Sequence, residues 1–172
     1  MIDIEGSMLF VGGYVTDHAN DKLELKSAVT NVNPEVRRIS IVCADTGYFS
    51  KPAVQGLEAE GAGPTVYCAI ERQTYHRTVE DLERNPASKE PPETATIKDK
   101  MAYRLKTDEG LRYYEKRKET IEPAFGIIKS VLGFRQFLSR GLEKVSIELD
   151  LVMLVYNRLY RLGQVRYESV LT

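Results

Sequence analysis

Asp45 stands at a position where a carboxylate could perform chemistry. It directly follows the apolar, β-branched run 39–44, which is typical of a buried strand, and Gly47 allows a sharp turn after it. Open α/β sheets place their active sites at the carboxyl ends of such strands. An aspartate here can also simply begin a turn, so Asp45 alone is a weak indication of catalysis.

Glu122 is the second candidate, because it is a carboxylate inside the basic and aromatic stretch 114–129. In a continuous helix Lys118, Glu122 and Lys129 fall at i, i+4 and i+11 and project from one face. A carboxylate flanked by cations suits a metal ion held beside a phosphodiester. The same spacing fits an exposed helix with ion pairs, and Pro123 biases Glu122 away from helical dihedral angles.

The composition of the 172 residues is that of an ordinary globular protein, with 42% hydrophobic and 28% charged residues. Cys43 and Cys68 lie in apolar runs, so we expect buried thiols in a reducing compartment. With two cysteines and two histidines, a structural zinc site is not expected. The N-terminal residues lack the pattern of a secretory signal, and we expect a cytoplasmic protein.

The net charge of −1 conceals an asymmetry along the chain. Residues 1–60 carry nine acidic against five basic side chains, whereas residues 112–172 carry seven acidic against eleven basic ones. This division suits a site where acidic groups hold cations and basic groups hold a polyanion. Two solvated faces would give the same pattern, and both interpretations stay open.

The pattern of apolar residues before residue 100 predicts an α/β arrangement. We expect strands over 2–4, 8–16, 39–44 and 65–70, and helices after Asn20 or Asp21 and after Ser50. Residues 71–98 carry three prolines and many charges without apolar periodicity. They are interpreted as an exposed, mobile insertion within one domain, helical around 78–84.

From residue 99 onward the pattern is helical. Thr107 or Asp108 is predicted to cap one helix, Pro123 to break or kink it, and a long C-terminal helix to follow. The three- and four-residue steps of that helix define a seam, which would be either a core face or a dimer contact. The seam consists of Leu142, Val145, Leu149, Val152, Tyr156 and Leu159. Charges within the helix exclude a membrane span.

Several ordered motifs together resemble a known family. They are Ala44-Asp45-Thr46-Gly47-Tyr48-Phe49-Ser50, then Tyr114-x2-Arg117-Lys118-x3-Glu122-Pro123-x-Phe125-Gly126-x2-Lys129, then Gly133-Phe134-Arg135 and Arg140-Gly141-Leu142-Glu143-Lys144-Val145. This chain resembles bacterial insertion-sequence transposases of the DDE class. The resemblance implies an RNase H-like mixed sheet with flanking helices, and an Asp-Asp-Glu triad that cuts and joins DNA at transposon ends.

The resemblance also implies roles for individual residues. Asp45 matches the second aspartate of the triad and Glu122 its glutamate, so both would be catalytic and would bind Mg²⁺ or Mn²⁺. Residues near the glutamate would contact DNA phosphates without reading sequence. They are Tyr114, Arg117 and Lys129, with Lys118 as a substitute because Arg117 lies one residue further from Glu122 than in the best-known signature.

The first aspartate of the triad lies in the family on an earlier strand, and this chain begins at the family's second strand. Asp3 is the nearby carboxylate, but it matches a non-catalytic position. We therefore expect residues 1–172 to form a single partial catalytic domain with its first strand missing. A site without its shared ligand should bind metal weakly and turn over little.

Three classes of function follow from these expectations. The first is a transposase catalytic domain, catalytically impaired, in the bacterial cytoplasm near the nucleoid. The second is a non-catalytic DNA-binding fragment, or one that pairs with itself or with full-length transposase through the C-terminal seam and acts as a regulator. The third is a stable α/β domain without activity. Metal-dependent cleavage separates the first class from the others, and salt-dependent DNA binding separates the second from the third.

Overall fold

The computed structural model describes residues 1–3, 7–35, 38–58, 63–70 and 90–170, without the side chains of Lys118 and of residues 164–170. The chain divides into two compact units. We call residues 19–30 and 38–117 the sheet unit, and residues 1–18, 31–37 and 118–172 the helical unit. Within the described part of the chain, no helix has the length and apolar character needed to cross a membrane.

The sheet unit contains two parallel strands and the helices around them. Its elements are a 3₁₀ turn at Asp21–Leu23, α1 (Glu24–Thr30), β1 (Ile41–Ala44), a 3₁₀ turn at Thr46–Tyr48, α2 (Lys51–Glu58), β2 (Thr65–Cys68), α3 (Ile97–Arg104) and the first part of α4 (Asp108–Gly126). The predicted strands over 39–44 and 65–70 are confirmed in shortened form. The chain is thus a mixed α/β protein, and the RNase H-like sheet stays a prediction.

Local sequence explains where these helices begin. The Asn20 side chain accepts a hydrogen bond from the backbone N–H of Lys22 (3.1 Å), which caps the first turn as predicted. Thr107 accepts one from the N–H of Gly110 (3.1 Å) and thereby caps α4. Thr96 does the same for Asp99 (3.2 Å) at the start of α3. These polar residues satisfy donors that a helix N-terminus leaves unpaired.

The parallel register of the sheet determines which residues meet at its carboxyl edge. Ile41 pairs with Thr65 and Ala44 pairs with Cys68, so Asp45 follows β1 at the edge where β2 also ends. Beneath the strands, Met101 of α3 is buried, and the N–H of Cys68 donates to its sulfur (3.3 Å). Helix α3 therefore packs along β2, at its end through Met101 and within the strand through Arg104, which donates to the Val66 carbonyl (2.7 Å).

Pro123 does not break the helix, so the predicted break is wrong, whereas the alternative of a kink stays a prediction. Helix α4 continues through Pro123 to Gly126, although proline lacks the N–H that would bond the carbonyl four residues earlier. A π-helical turn follows at Ile127–Val131, before Gly133 adopts a positive φ of 68°. Packing explains the continuity, because Ala124 and Ile128 on either side of this junction are both buried. The core contacts thus outweigh the local preference of proline.

The helical unit is built around one aromatic and aliphatic core. Tyr156 of α5 (Leu142–Val170) is buried with Ala124 and Ile128, and Phe10 packs edge-to-face on its ring at 5.1 Å. Residues 1–3 and 9–11 are joined by an antiparallel bridge between Ile2 and Phe10. The predicted pairing of the first two segments is thereby confirmed as a single bridge, whereas the strands predicted over 2–4 and 8–16 are wrong, because their described residues form no strand.

The seam predicted along the C-terminal helix faces the core. Tyr156 is buried, and Val145, Leu149 and Val152 are half-buried, whereas only the outer members Leu142 and Leu159 are exposed. The middle of this seam is therefore a packing face within the helical unit, and a dimer contact along it stays a prediction. The position of the helix itself is confirmed.

The predicted insertion at 71–98 falls mainly outside the described residues, which resume at position 90. From there a turn closes with the Ala95 N–H donating to the Pro92 carbonyl (2.9 Å), and α3 begins at Ile97. The helix expected around 78–84 also lies outside the described residues.

Candidate functional site

Asp45 is held by the backbone where β1 ends. Its backbone is extended and it caps the following 3₁₀ turn, since the Tyr48 N–H donates to the Asp45 carbonyl (3.0 Å). The Thr46 N–H also lies 3.3 Å from Asp45 Oδ1. The Asp45 side chain is 60% exposed. A carboxylate in this position is fixed by its main chain while its oxygens face solvent.

Arg117 of α4 supplies the positive charge beside Asp45. Its Nη2 donates to Asp45 Oδ1 at 3.4 Å, and its guanidinium lies over the ring of Tyr114, 5.1 Å from the ring centre. The Arg117 side chain is only 15% exposed, and its buried Nε has no hydrogen-bond partner among the described residues. Stacking on an aromatic face and pairing with a carboxylate are both favoured by a planar guanidinium.

Cys68 closes the site from the neighbouring strand. Its Sγ donates to the Asp45 carbonyl at 3.2 Å, which follows from the pairing of Ala44 with Cys68. Burial, reinforced by the charge of Asp45, raises the pKa of the Cys68 thiol to about 12, although Arg117 opposes the shift. The thiol is therefore neutral at physiological pH and serves as a packing and donor group.

Acidic groups on a second segment also bear on this site. Burial raises the pKa of Tyr48, and the carboxylates of Asp21, Glu24 and Asp45 raise it further. At Gly47 an added Cβ would lie 3.3 Å from Asp21 Oδ2, so the Asp21 side chain lies against the turn after Asp45. Three carboxylates thus act on Tyr48 at this end of the sheet, and the guanidinium of Arg117 offsets part of the charge at Asp45.

Tyr114 is a half-buried phenol on the same side of α4 as Arg117, one helical turn earlier. Burial raises the pKa of Tyr114, Arg117 lowers it and Asp45 raises it again. The phenol therefore keeps its proton and remains a hydrogen-bond donor at neutral pH. The structure brings together three of the residues that the sequence singled out, which are Asp45, Tyr114 and Arg117.

Glu122, Lys118 and Lys129 belong to the helical unit. Glu122 lies exposed on α4 directly before Pro123, and Lys129 lies exposed in the π-helical turn. Lys118 is helical, and its side chain lies outside the described residues. The face expected at i, i+4 and i+11 is altered, because the wider π-turn shifts Lys129 relative to an ideal α-helix.

The donor chemistry at Asp45 fits a hard divalent cation, since Mg²⁺ prefers carboxylate oxygens together with water. Arg117 and Thr46 both donate to Asp45 Oδ1 and not to Oδ2. Among the described residues, no three acidic, histidine or cysteine side chains gather as a metal-binding cluster. Glu122 is also an oxygen donor exposed to solvent.

Two neighbours of Asp45 were not singled out from the sequence. Cys68 was interpreted as a buried thiol, but its contact with Asp45 depends on the strand register, which the sequence did not reveal. Asp21 was interpreted as a helix cap, and its approach to Gly47 depends on the packing of the two 3₁₀ turns. The continuous apolar runs of both strands indicated two buried strands but did not indicate their register.

Comparison with known proteins gives one match. A family model described as Transposase DDE domain matches residues 73–162, which is more than half of the chain. The matched range includes Glu122 and the basic residues near it, and Asp45 lies before it. No curated protein and no solved structure matches the chain. The chain therefore belongs to the transposase DDE domain family.

Proposed function

We propose that this protein carries out the DNA chemistry of an insertion-sequence transposase in bacteria, cleaving phosphodiesters and joining strands at transposon ends. The observation that supports this most strongly is the family match over residues 73–162, which contains Glu122, Arg117 and Lys129. The exposed Asp45 carboxylate at the end of β1 adds a second acidic group in a position typical of α/β active sites.

Asp45 and Glu122 are the proposed ligands of Mg²⁺ or Mn²⁺. When bound, such ions activate a water or a 3′-hydroxyl and stabilise the leaving oxygen of the phosphodiester. Asp45 belongs to the sheet unit and Glu122 to the helical unit, so the proposal that they act together rests on the family signature. The hard oxygen donors of the two carboxylates support the choice of cation.

Arg117 has two roles in this proposal. Without DNA it neutralises part of the Asp45 charge and lies on the Tyr114 ring. With DNA its unpartnered Nε and the remaining N–H groups would bind a phosphate oxygen, for which a guanidinium offers five donors. Lys118 and Lys129 would add positive charge along the DNA backbone, and the Tyr114 hydroxyl would donate a hydrogen bond to a phosphate oxygen.

The RNase H-like arrangement of the catalytic core is part of the same proposal. In its support, β1 and β2 are parallel and Asp45 follows β1 at the edge of the sheet. A third acidic ligand would complete a two-metal site, and low intrinsic activity is expected where only Asp45 and Glu122 contribute.

The test is cleavage of labelled supercoiled plasmid with Mg²⁺ or Mn²⁺. Because the site lacks a third acidic ligand among the described residues, we expect at most slow metal-dependent nicking, and any such nicking should be abolished in Asp45→Asn and in Glu122→Gln. The matched control is Glu119→Gln, which removes an exposed carboxylate one turn earlier on α4 and should leave nicking unchanged. Nicking that survives both Asp45→Asn and Glu122→Gln would contradict the proposed site.

A non-catalytic DNA-binding role is the second candidate, and the pairing of Asp45 with Arg117 favours it. A carboxylate already neutralised by a guanidinium is suited to a structural role. In this case DNA binding would fall with rising salt and would weaken in Arg117→Ala and Lys129→Ala but not in Asp45→Asn. Binding without any metal-dependent nicking would select this function over the first.

A further inference from the structure

Helix α5 carries an exposed apolar face on the side away from Tyr156. Its residues recur at helical spacing over about four turns and are each between 44% and 64% exposed. They are Ile147, Leu151, Leu154, Val155 and Leu162. A continuous apolar face of this kind is typical of a contact surface, since soluble proteins rarely leave one uncovered.

A groove lies against the C-terminal half of this face. It has a volume of about 560 Å³ and its lining combines leucine side chains with two guanidinium groups. The lining residues are Leu9, Leu154, Asn157, Arg158, Arg161 and Leu162. A segment that fits it must therefore present apolar side chains at helical spacing and carry acidic groups beside them.

The N-terminal half of α5 has this composition. Ile147 and Leu151 are one turn apart and exposed, and the carboxylates of Glu143 and Asp150 lie on their flank, also exposed. The exposed charged side chains of the first half are Glu143, Lys144 and Asp150, with a net negative charge, whereas those described in the second half are Arg158 and Arg161. This asymmetry makes the face complementary to a copy of itself that runs in the opposite direction.

We propose that the exposed face of α5 binds the same face of a second copy of this chain, with the two helices antiparallel. A two-fold axis between Leu154 and Val155 sets Ile147 opposite Leu162 of the second copy. It also sets Leu151 opposite Arg158 of the second copy, so that Asp150 lies within one turn of that arginine. A parallel pair would instead bring identical charges together at each position, which is unfavourable.

The association is measured by analytical ultracentrifugation over a hundredfold range of concentration. The molar mass of the chain should rise from 19.5 kDa toward twice that value. Leu154→Glu should shift this rise to at least tenfold higher concentration, because the carboxylate would be buried at the axis. The control is Leu138→Glu, which changes a side chain that is 84% exposed and outside α5, and it should have no effect.

Charge reversal tests the antiparallel direction, because nonspecific apolar association would not depend on which charges face each other. Asp150→Arg and Arg158→Asp should each weaken association, because each sets like charges together at both ends of the interface. The combined variant should restore association, since each arginine again faces an aspartate. Circular dichroism of every variant checks that the fold is retained. A chain that is monomeric at all concentrations, or single reversals without rescue in the combined variant, would overturn the proposal.

Discussion

The sheet unit and the helical unit each present one of the two candidate carboxylates, and they hold it by different means. Asp45 follows a hydrogen-bonded strand, and its main chain is fixed by the turn that it caps. Glu122 lies on a helix that passes through Pro123 into a π-turn, where regular hydrogen bonding is interrupted. The position of Glu122 therefore depends on the buried side chains beside it rather than on local backbone bonds.

The two carboxylates are therefore held in position by different interactions. At Asp45 the relevant contacts are local bonds of the turn and three neighbouring side chains, so single changes there should alter chemistry more than stability. At Glu122 the relevant contacts are those of Ala124 and Ile128 with Tyr156. Changes in that core should displace the carboxylate by destabilising the helical unit.

The largest effect is expected for Tyr156→Ala. Tyr156 is 1% exposed and packs with the rings of Phe10 and Tyr160 at 5.1 and 5.9 Å. Removing the ring should lower the free energy of unfolding by about 3–5 kcal/mol, as for other large-to-small changes in a core. Chemical denaturation monitored by circular dichroism measures it. Tyr156→Phe is the control and should lower the free energy of unfolding far less. It keeps the ring and removes a hydroxyl whose contact with the Met8 carbonyl is long, at 3.5 Å.

A smaller effect is expected for Arg104→Ala in the sheet unit. The Arg104 Nη1 donates to the Val66 carbonyl (2.7 Å) and to Glu58, which itself accepts from the Val66 N–H (3.0 Å). Truncation leaves a strand carbonyl and a half-buried carboxylate without this donor and should cost about 1–3 kcal/mol. Arg104→Lys keeps the charge without the fork geometry and should fall between wild type and alanine. Equal stability of all three would show that the clamp on β2 contributes nothing.

The pKa of Cys68 predicts an alkaline loss of stability in the sheet unit. The folded thiol has a pKa of about 12, whereas the unfolded thiol ionises near its ordinary value of 9. Above pH 9 the unfolded state therefore binds fewer protons, and the free energy of unfolding should fall with rising pH by about 1.4 kcal/mol per unit at most. Cys68→Ala should make this slope shallower between pH 9 and 10.5, measured by denaturation at each pH, and the slope that remains is expected from the raised pKa of Tyr48 and of Tyr114. An unchanged slope in that variant would contradict the buried, neutral thiol.

Parts of this fold followed directly from the sequence. The β-branched runs gave both strands, polar caps gave the helix starts, and the three- and four-residue steps gave α5. Contacts between segments far apart in sequence did not follow. Arg117 was assigned to DNA phosphates, and its approach to Asp45 across 72 positions depends on how α4 packs against the strand end. The helix through Pro123 was missed because burial of Ala124 and Ile128 outweighs a local propensity.

The exposed face of α5 shows the same limit. Apolar residues occur on several sides of this helix, and the sequence suggested one seam that would be either core or contact. The structure assigns that seam to the core and leaves the opposite face exposed. Periodicity alone gives the spacing of apolar residues but does not state which stripe is covered.

The smallest effect is expected for Arg117→Gln, which tests the charge balance at Asp45. Loss of the guanidinium at 3.4 Å removes a cation that competes with a metal ion, so Mn²⁺ should bind several-fold more tightly without DNA. Titration calorimetry measures the affinity. The control is Arg112→Gln, an exposed arginine of α4 whose guanidinium lies on Tyr113, and it should leave the affinity unchanged. Weaker Mn²⁺ binding in Arg117→Gln would show that Arg117 supports the site instead of opposing the cation.

The most direct test of the central claim maps the metal onto the chain. Fe²⁺ replaces Mg²⁺, and peroxide with ascorbate then cuts the polypeptide beside the bound ion. We expect cuts next to Asp45 and next to Glu122, and excess Mg²⁺ should suppress both. Both cuts should be lost in Asp45→Asn and retained in Glu119→Gln. Cuts at only one of the two residues, or cuts elsewhere that Mg²⁺ suppresses, would contradict a metal ion held by Asp45 and Glu122.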